Sequence, residues 1–205
     1  MKNHTIAYLE ALSAGTPTPG GGNASAVAGA VSSSLGMMVI NLTIGKPKYA
    51  EFENDLRGAL EKLGEIRERF LALSEADNAA FDEVMLAFKL PKSTPEETAV
   101  RKAAVQKATI KAAEVPAEVV KTAALAVPVL SMLIEKGNRN SLSDTGVALQ
   151  YLEPCISGAL YNVMINCSSV KDSEEAAALL QDTKKIAEET LSQLKLSHQR
   201  IVESL

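Results

Sequence analysis

One carboxylate stands where the pattern around it asks for an apolar side chain. Leu56, Leu63 and Phe70 recur every seven residues, interleaved with Ala59, Ile66 and Leu73. The series reaches Asp77 and then resumes with Ala80, Val84 and Ala87. This is helical spacing, so Asp77 lies on the core-facing side while Asp82 and Glu83 project to solvent. A carboxylate drawn out of water needs a partner or a task. An ion pair or the cap of a neighbouring helix would supply the partner, and proton transfer the task.

A second polar line runs down residues 143–168: Asp144, Ala148, Tyr151, Cys155, Gly158, Asn162 and Asn166. Asn162 and Asn166 stand one turn apart and can act together. Asp144 lies about 27 Å from Asn162 along such a helix. The two therefore touch different ends of a ligand or belong to different subunits' sites, and a polar seam between helices is the competing account. Gly20, Gly21 and Gly22 precede a helix start, where free N–H groups receive an anion and glycine lets a ligand come close. A plain tight turn has the same composition, and no Gly-Lys-Ser/Thr follows as in a nucleotide-binding loop. Lys46, after Gly45, is either part of a helix stop or the cation of an anion site.

The remaining reactive side chains are few. His4 and His198 are the only histidines, so a histidine-built zinc site or a Ser-His-Asp triad is poorly supplied. His198 falls on the flank of the last helix's stripe, as a half-buried border residue does. Cys155 and Cys167 are about 18 Å apart along one helix and cannot bond there, and they read as small buried thiols.

The elements that must position these residues are helices almost throughout. The chain has 205 residues, is 46% hydrophobic and has no Trp, with aromatics at 4%. A core of Ala, Leu, Val and Ile suits closely packed helices, and the whole of 1–205 reads as one domain. Residues 2–14 form a short helix. Small residues from Asn23 to about Ile44 form another, whose stretch 24–36 belongs in the middle of the bundle or at a subunit interface. Residues 48–88 carry the Leu56–Phe70 stripe. Thr94-Pro95-Glu96-Glu97 is a capping box that restarts a helix after the loop 90–93. Pro116 and Pro128 are expected to break or kink 96–136. A polar loop, 137–141, leads into the helix 143–168. The last helix, 173–204, opens with Asp172 and Glu175 in capping positions. The expected fold is all-α, a single-domain multi-helix bundle with long antiparallel helices. With a net charge of −4 and no basic run, a nucleic-acid partner is not expected. No apolar stretch reads as long and unbroken enough for a bilayer, and the N-terminus does not read as a signal peptide, which makes the cytoplasm the expected compartment.

Taken together, PTPGGGNASAVAGA (17–30), NLTIGKPKY (41–49), DNAAFDEVMLAFKLPKSTPEE (77–97), GNRNSLSD (137–144) and GALYNVMIN (158–166) closely resemble the cyclodeaminase domain of formiminotransferase-cyclodeaminase. They equally resemble its stand-alone bacterial relatives, which include a methenyltetrahydrofolate cyclohydrolase. The likeness covers nearly the whole chain in order. Asn23 departs from it, standing where the family often has Ser, and Asn can also cap a helix.

The resemblance implies an all-α fold, a homodimer or a ring of dimers, and a tetrahydrofolate substrate, often polyglutamylated, with neither cofactor nor metal. The first activity it implies is formimidoyltetrahydrofolate cyclodeaminase, in which N10 attacks the formimino carbon on N5 and ammonia leaves. The alternative is methenyltetrahydrofolate cyclohydrolase, in which water opens the methenyl bridge. A helical dimer that binds folate without catalysis is the reading from another class. Asp77 is the expected acid/base group. Asp144 is the second catalytic candidate, or pairs with the pterin's amino-amide edge. Lys46 with Gly20, Gly21 and Gly22 would hold the anionic tail, and Asn162 and Asn166 would orient the pterin or the bridge carbon. Asn138 and Ser143, within GNRNSLSD, join the expected substrate-binding set.

Overall fold

The computed structural model describes residues 2–170 and 173–205. Six α-helices carry the fold: α1 (Lys2–Ser13), α2 (Gly21–Asn41), α3 (Glu53–Phe88), α4 (Pro95–Lys136), α5 (Leu142–Ser169) and α6 (Glu174–Ser204). Short 3-10 turns, Pro47–Phe52 and Arg139–Ser141, lead into α3 and α5. No strand occurs among the described residues, so the architecture is the expected all-helical bundle.

The small-residue helix α2 lies in the middle, packed against α3, α4 and α5, and α6 closes the far side on α4 and α5. Its glycines explain the position. A Cβ on Gly29 would lie 2.6 Å from Phe70 Cζ, and one on Gly36 would lie 2.8 Å from Leu63 Cδ1. Only bare backbone fits against those buried side chains. The Leu56–Leu63–Phe70 stripe is fully buried, and one continuous core runs from it through α4, α5 and α6. A smaller apolar cluster of Ile110, Ala113, Ala117, Val163, Cys167 and Ala176 closes the end of the bundle where α5 finishes.

The Thr94 capping box forms as expected: Thr94 Oγ1 accepts from Glu97 N, and Glu97 Oε2 accepts from Thr94 N. Pro116 and Pro128, expected to break or kink the stretch, do not end α4, which runs through both. Pro116 is buried against the bundle, and packing on several sides keeps the helix together where the local bond is lost. The expected cap Asp172 lies outside the described residues. Ser173 caps α6 by accepting from Ala176 N, while Glu175 sits in the first turn.

Contrary to the sequence expectation, α2 and α4 are each long and apolar enough to cross a membrane. Both are core helices with about half of that surface already turned into the protein, 56% in each case. Alanine with valine, leucine, isoleucine and methionine, much of it turned into the core, gives them that composition.

Candidate active site

The N-terminus of α2 begins without a side-chain cap of its own. Its N-cap residue, Gly20, offers none, and α3 supplies the missing acceptor. Asp77 Oδ2 accepts from the Asn23 backbone N–H at 2.9 Å. The helix-cap account and the catalytic account of Asp77 therefore describe one carboxylate, with one oxygen tied to α2 and the other beside Gly22. A Cβ at Gly22 would stand 2.7 Å from Asp77 Cγ, so only glycine admits the carboxylate there. The N–H groups of Gly21 and Gly22 have no acceptor among the described residues, as expected for a first turn. Burial pushes the Asp77 carboxyl above its ordinary value, and the bond from Asn23 opposes this. A carboxyl raised toward neutrality can both give and take a proton.

A cleft of about 340 Å³ opens over this carboxylate, walled by Pro17, Thr18 and Gly20–Gly22, by Phe81 and Val84 of α3, and by Ala112 of α4. Asn162, Ile165 and Asn166 of α5 complete it. Phe81, Val84 and Ile165 were not among the sequence candidates. The first two stand one and two turns beyond Asp77 and Ile165 one turn beyond Asn162, so helical spacing from the anchors was the signal that could have found them.

The two asparagines sit in the cleft but are partly spoken for. Asn162 Nδ2 donates to the Gly158 carbonyl at 2.9 Å, and Asn166 Nδ2 to the Ala112 carbonyl at 3.2 Å. The second bond has a cause in α4. Residue 116 is proline, so it cannot donate to the carbonyl of residue 112, and Asn166 fills the gap from α5. The seam reading thus holds for the amide nitrogens.

The other expected site residues lie at the opposite end of the bundle. α2 is 21 residues long, about 30 Å, with the Asp77 cleft at its start and Lys46 past its end. Within one chain, Lys46 and the glycine run therefore cannot grip one short anionic tail together. Lys46 is exposed and the backbone turns at Gly45 with φ +79°. Asn138 is buried and fully used by the protein: Nδ2 donates to the Leu42 carbonyl, Oδ1 accepts from Asn140 N, and its own N–H donates to Thr43 Oγ1. It ties off the end of α2, and both polar atoms of its side chain already hold a protein partner. Ser143 is exposed and Asp144 half-buried in the first turn of α5, where a negative charge is favoured.

Among the described residues no three His, Cys, Asp or Glu side chains gather as a metal site. Both cysteines are free and buried, with the Cys155 thiol pushed up to about 12 by burial. Asn23 is not the cap the sequence suggested. It sits inside the first turn, with Nδ2 donating to the Ser74 carbonyl at 2.8 Å.

The fold is an all-helical bundle that holds a half-buried carboxylate at a glycine-rich helix start, an arrangement with the groups for acid–base chemistry. The family model for formiminotransferase-cyclodeaminase matches residues 5–185, and the chain belongs to that family. A methenyltetrahydrofolate cyclohydrolase from Methylorubrum extorquens is 38% identical over 88% of this chain and 87% of its own length. The formimidoyltransferase-cyclodeaminase of Gallus gallus is 33% identical over 89% of this chain, which spans only 34% of that longer protein. The crystal structure of a formiminotetrahydrofolate cyclodeaminase from Thermotoga maritima superposes with a TM-score of 0.80 at 29% identity, over 97% of this chain and 93% of the other.

Proposed function

We propose that this chain is a folate one-carbon enzyme acting on the carbon between N5 and N10 of tetrahydrofolate. The observation that carries the reading is Asp77, raised by burial, oriented by Asn23 N–H and open to a cleft floored by glycine backbone. In the cyclohydrolase reaction, water adds to the methenyl carbon and loses a proton. The carbon–N5 bond then breaks as N5 gains one, leaving 10-formyltetrahydrofolate. In the cyclodeaminase reaction, N10 adds to the formimino carbon and loses its proton, and the departing ammonia takes one up. Each needs a proton carried across one tetrahedral carbon, and one carboxyl raised above its ordinary value by burial performs both halves. Neither changes the oxidation state of the carbon, so the chemistry asks for no redox cofactor.

Cyclohydrolase is the reading favoured by the stand-alone relative, whose length this chain nearly matches. Cyclodeaminase is favoured by the solved structure, which matches over nearly the whole chain. The methenyl chromophore decides between them. Enzyme-dependent loss of methenyltetrahydrofolate supports the first, and its appearance from 5-formiminotetrahydrofolate supports the second. No change in either cuvette would refute the enzymatic reading.

A homodimer fits the surface. Val31 and Met38 of α2, Leu42 just past its end, and Val147, Tyr151, Tyr161 and Ile165 of α5 are exposed on two helices that pack side by side. Apolar exposure of this kind marks an interaction face. A two-fold partner on that face, running antiparallel, would bring its own Lys46 and Asp144 end toward the Asp77 cleft. That arrangement gives the distant residues a role toward a long, polyglutamylated substrate.

A further inference from the structure

α1 is a helix with little to rest on. Of residues 4–13, only Tyr8 and Leu12 are partly buried, and Ile6 and Leu9 are 47% and 56% exposed. A helix of 12 residues does not hold itself together in water, so its order comes from those two contacts. One of them is polar and ends at the site. Tyr8 OH donates to Asn23 Oδ1 at 2.9 Å. The same Asn23 donates through Nδ2 to the Ser74 carbonyl and through its backbone N–H to Asp77 Oδ2. Asn23 is 5% exposed, so without Tyr8 its Oδ1 would be left buried and unpaired, a costly condition. Asn23 therefore carries three bonds to two other helices, one to α1 and two to α3. A serine there, as the family resemblance leads one to expect, has one short hydroxyl and could not reach both Tyr8 and Ser74.

We infer that Tyr8 and Asn23 are positioning residues for Asp77, and that α1 serves as a strap whose docking through Tyr8 fixes the carboxylate against the start of α2. The inference deepens the reading of Asp77 as the acid/base group and rests on it. The strap is continuous with the wall of the cleft, because the segment that follows α1 contributes Pro17, Thr18 and Gly20. Lifting α1 therefore loosens the wall and the carboxylate together.

The test uses the full-length protein with Tyr8→Phe and Asn23→Ser. The amide proton of Asn23 (of residue 23 in the serine variant) is followed by NMR across pH. In the wild type its shift titrates with Asp77 through the hydrogen bond, as an Asp77→Asn control that abolishes the titration establishes. The expected result is that both variants keep the helical circular dichroism but lose about half or more of that titration amplitude. Their kcat is expected to fall about tenfold with KM changed less than about twofold, as for a misplaced catalytic group. Wild-type amplitude and wild-type kcat in Tyr8→Phe would overturn the proposal and reduce the contact to a tether. The amide titration needs no substrate, so it decides the positioning role even where neither folate is turned over.

Discussion

Gly22→Ala separates what the site requires from what the fold requires. The new Cβ would fall 2.7 Å from Asp77 Cγ and 2.9 Å from Oδ2. Carbon atoms rest at about 3.5–4.0 Å, so the carboxyl must retreat by about 1 Å. It is the end of a side chain and only half-buried, so it can rotate outward to another staggered position. The fold then loses the bond from Asn23 N–H, about 1 kcal/mol. It regains up to about 1 kcal/mol from alanine's helical preference over glycine. The melting temperature is expected to stay within about 4 °C of wild type. Turnover is expected to fall about 100-fold, the usual consequence of a 1 Å misplacement at the reacting centre. Gly29→Ala should behave in the opposite way. Its Cβ meets the fully buried Phe70 ring at 2.6 Å, which has nowhere to go, at a cost of about 1–3 kcal/mol. The assay is methenyl absorbance beside thermal melts of both variants. A folded Gly22→Ala enzyme with turnover within about threefold of wild type would refute the reasoning, because the carboxylate would then work from a different place.

Asp77→Asn keeps an acceptor for Asn23 N–H and removes the proton carrier, so turnover should vanish while circular dichroism is unchanged. A carboxyl raised in the folded state costs stability once ionised. The cost is absent below its unfolded value of 3.8 and complete above the folded one. The variant should therefore melt above wild type at pH 7, with the gap closing as pH falls toward 4. Asn166→Ala strands the Ala112 carbonyl and should destabilise by about 1–3 kcal/mol. Adding Pro116→Ala restores the helix donor and should recover much of the loss in a double-mutant cycle by denaturant melts. Cys155 should resist alkylation in the native protein at pH 8, since burial holds its thiol near 12, and rapid labelling by mass spectrometry would contradict that packing. Mixed Asp77→Asn and Asp144→Asn chains should recover activity that neither has alone if the site is shared between subunits, and no recovery would confine it to one chain.

What periodicity encodes was legible: helix positions, the Thr94 box, the central place of the small-residue helix, and Asp77 as the odd member of a buried stripe. The stripe and Asp77 share one helix, so spacing alone relates them. What spacing cannot carry is which end of one helix meets which end of another. Lys46 and Gly22 flank the same helix and looked like partners, yet its length sets them at opposite ends. Asn138 and Asn166 looked like ligand contacts because both are polar within motifs. Each also answers a carbonyl left open elsewhere, at the end of α2 and opposite Pro116. Those debts are incurred on one segment and settled by another far along the chain, and no local pattern records them.

The exposed stretch between Phe88 and Pro95 divides the chain into two parts. It carries Lys89 and Lys92 on the surface and joins two runs of three helices. A single cut there would leave one fragment holding Gly20–Gly22 and Asp77 and another holding Ala112, Asn162 and Asn166. Neither fragment has a cleft, and each exposes the apolar face the other covers, since α2 lies on α5 and α3 on α4. The two pieces are therefore complementary halves. Expressed separately they should be inert and prone to aggregate, whereas expressed together they should reassemble and regain catalysis, making this enzyme a candidate split reporter for bringing two fused partners together.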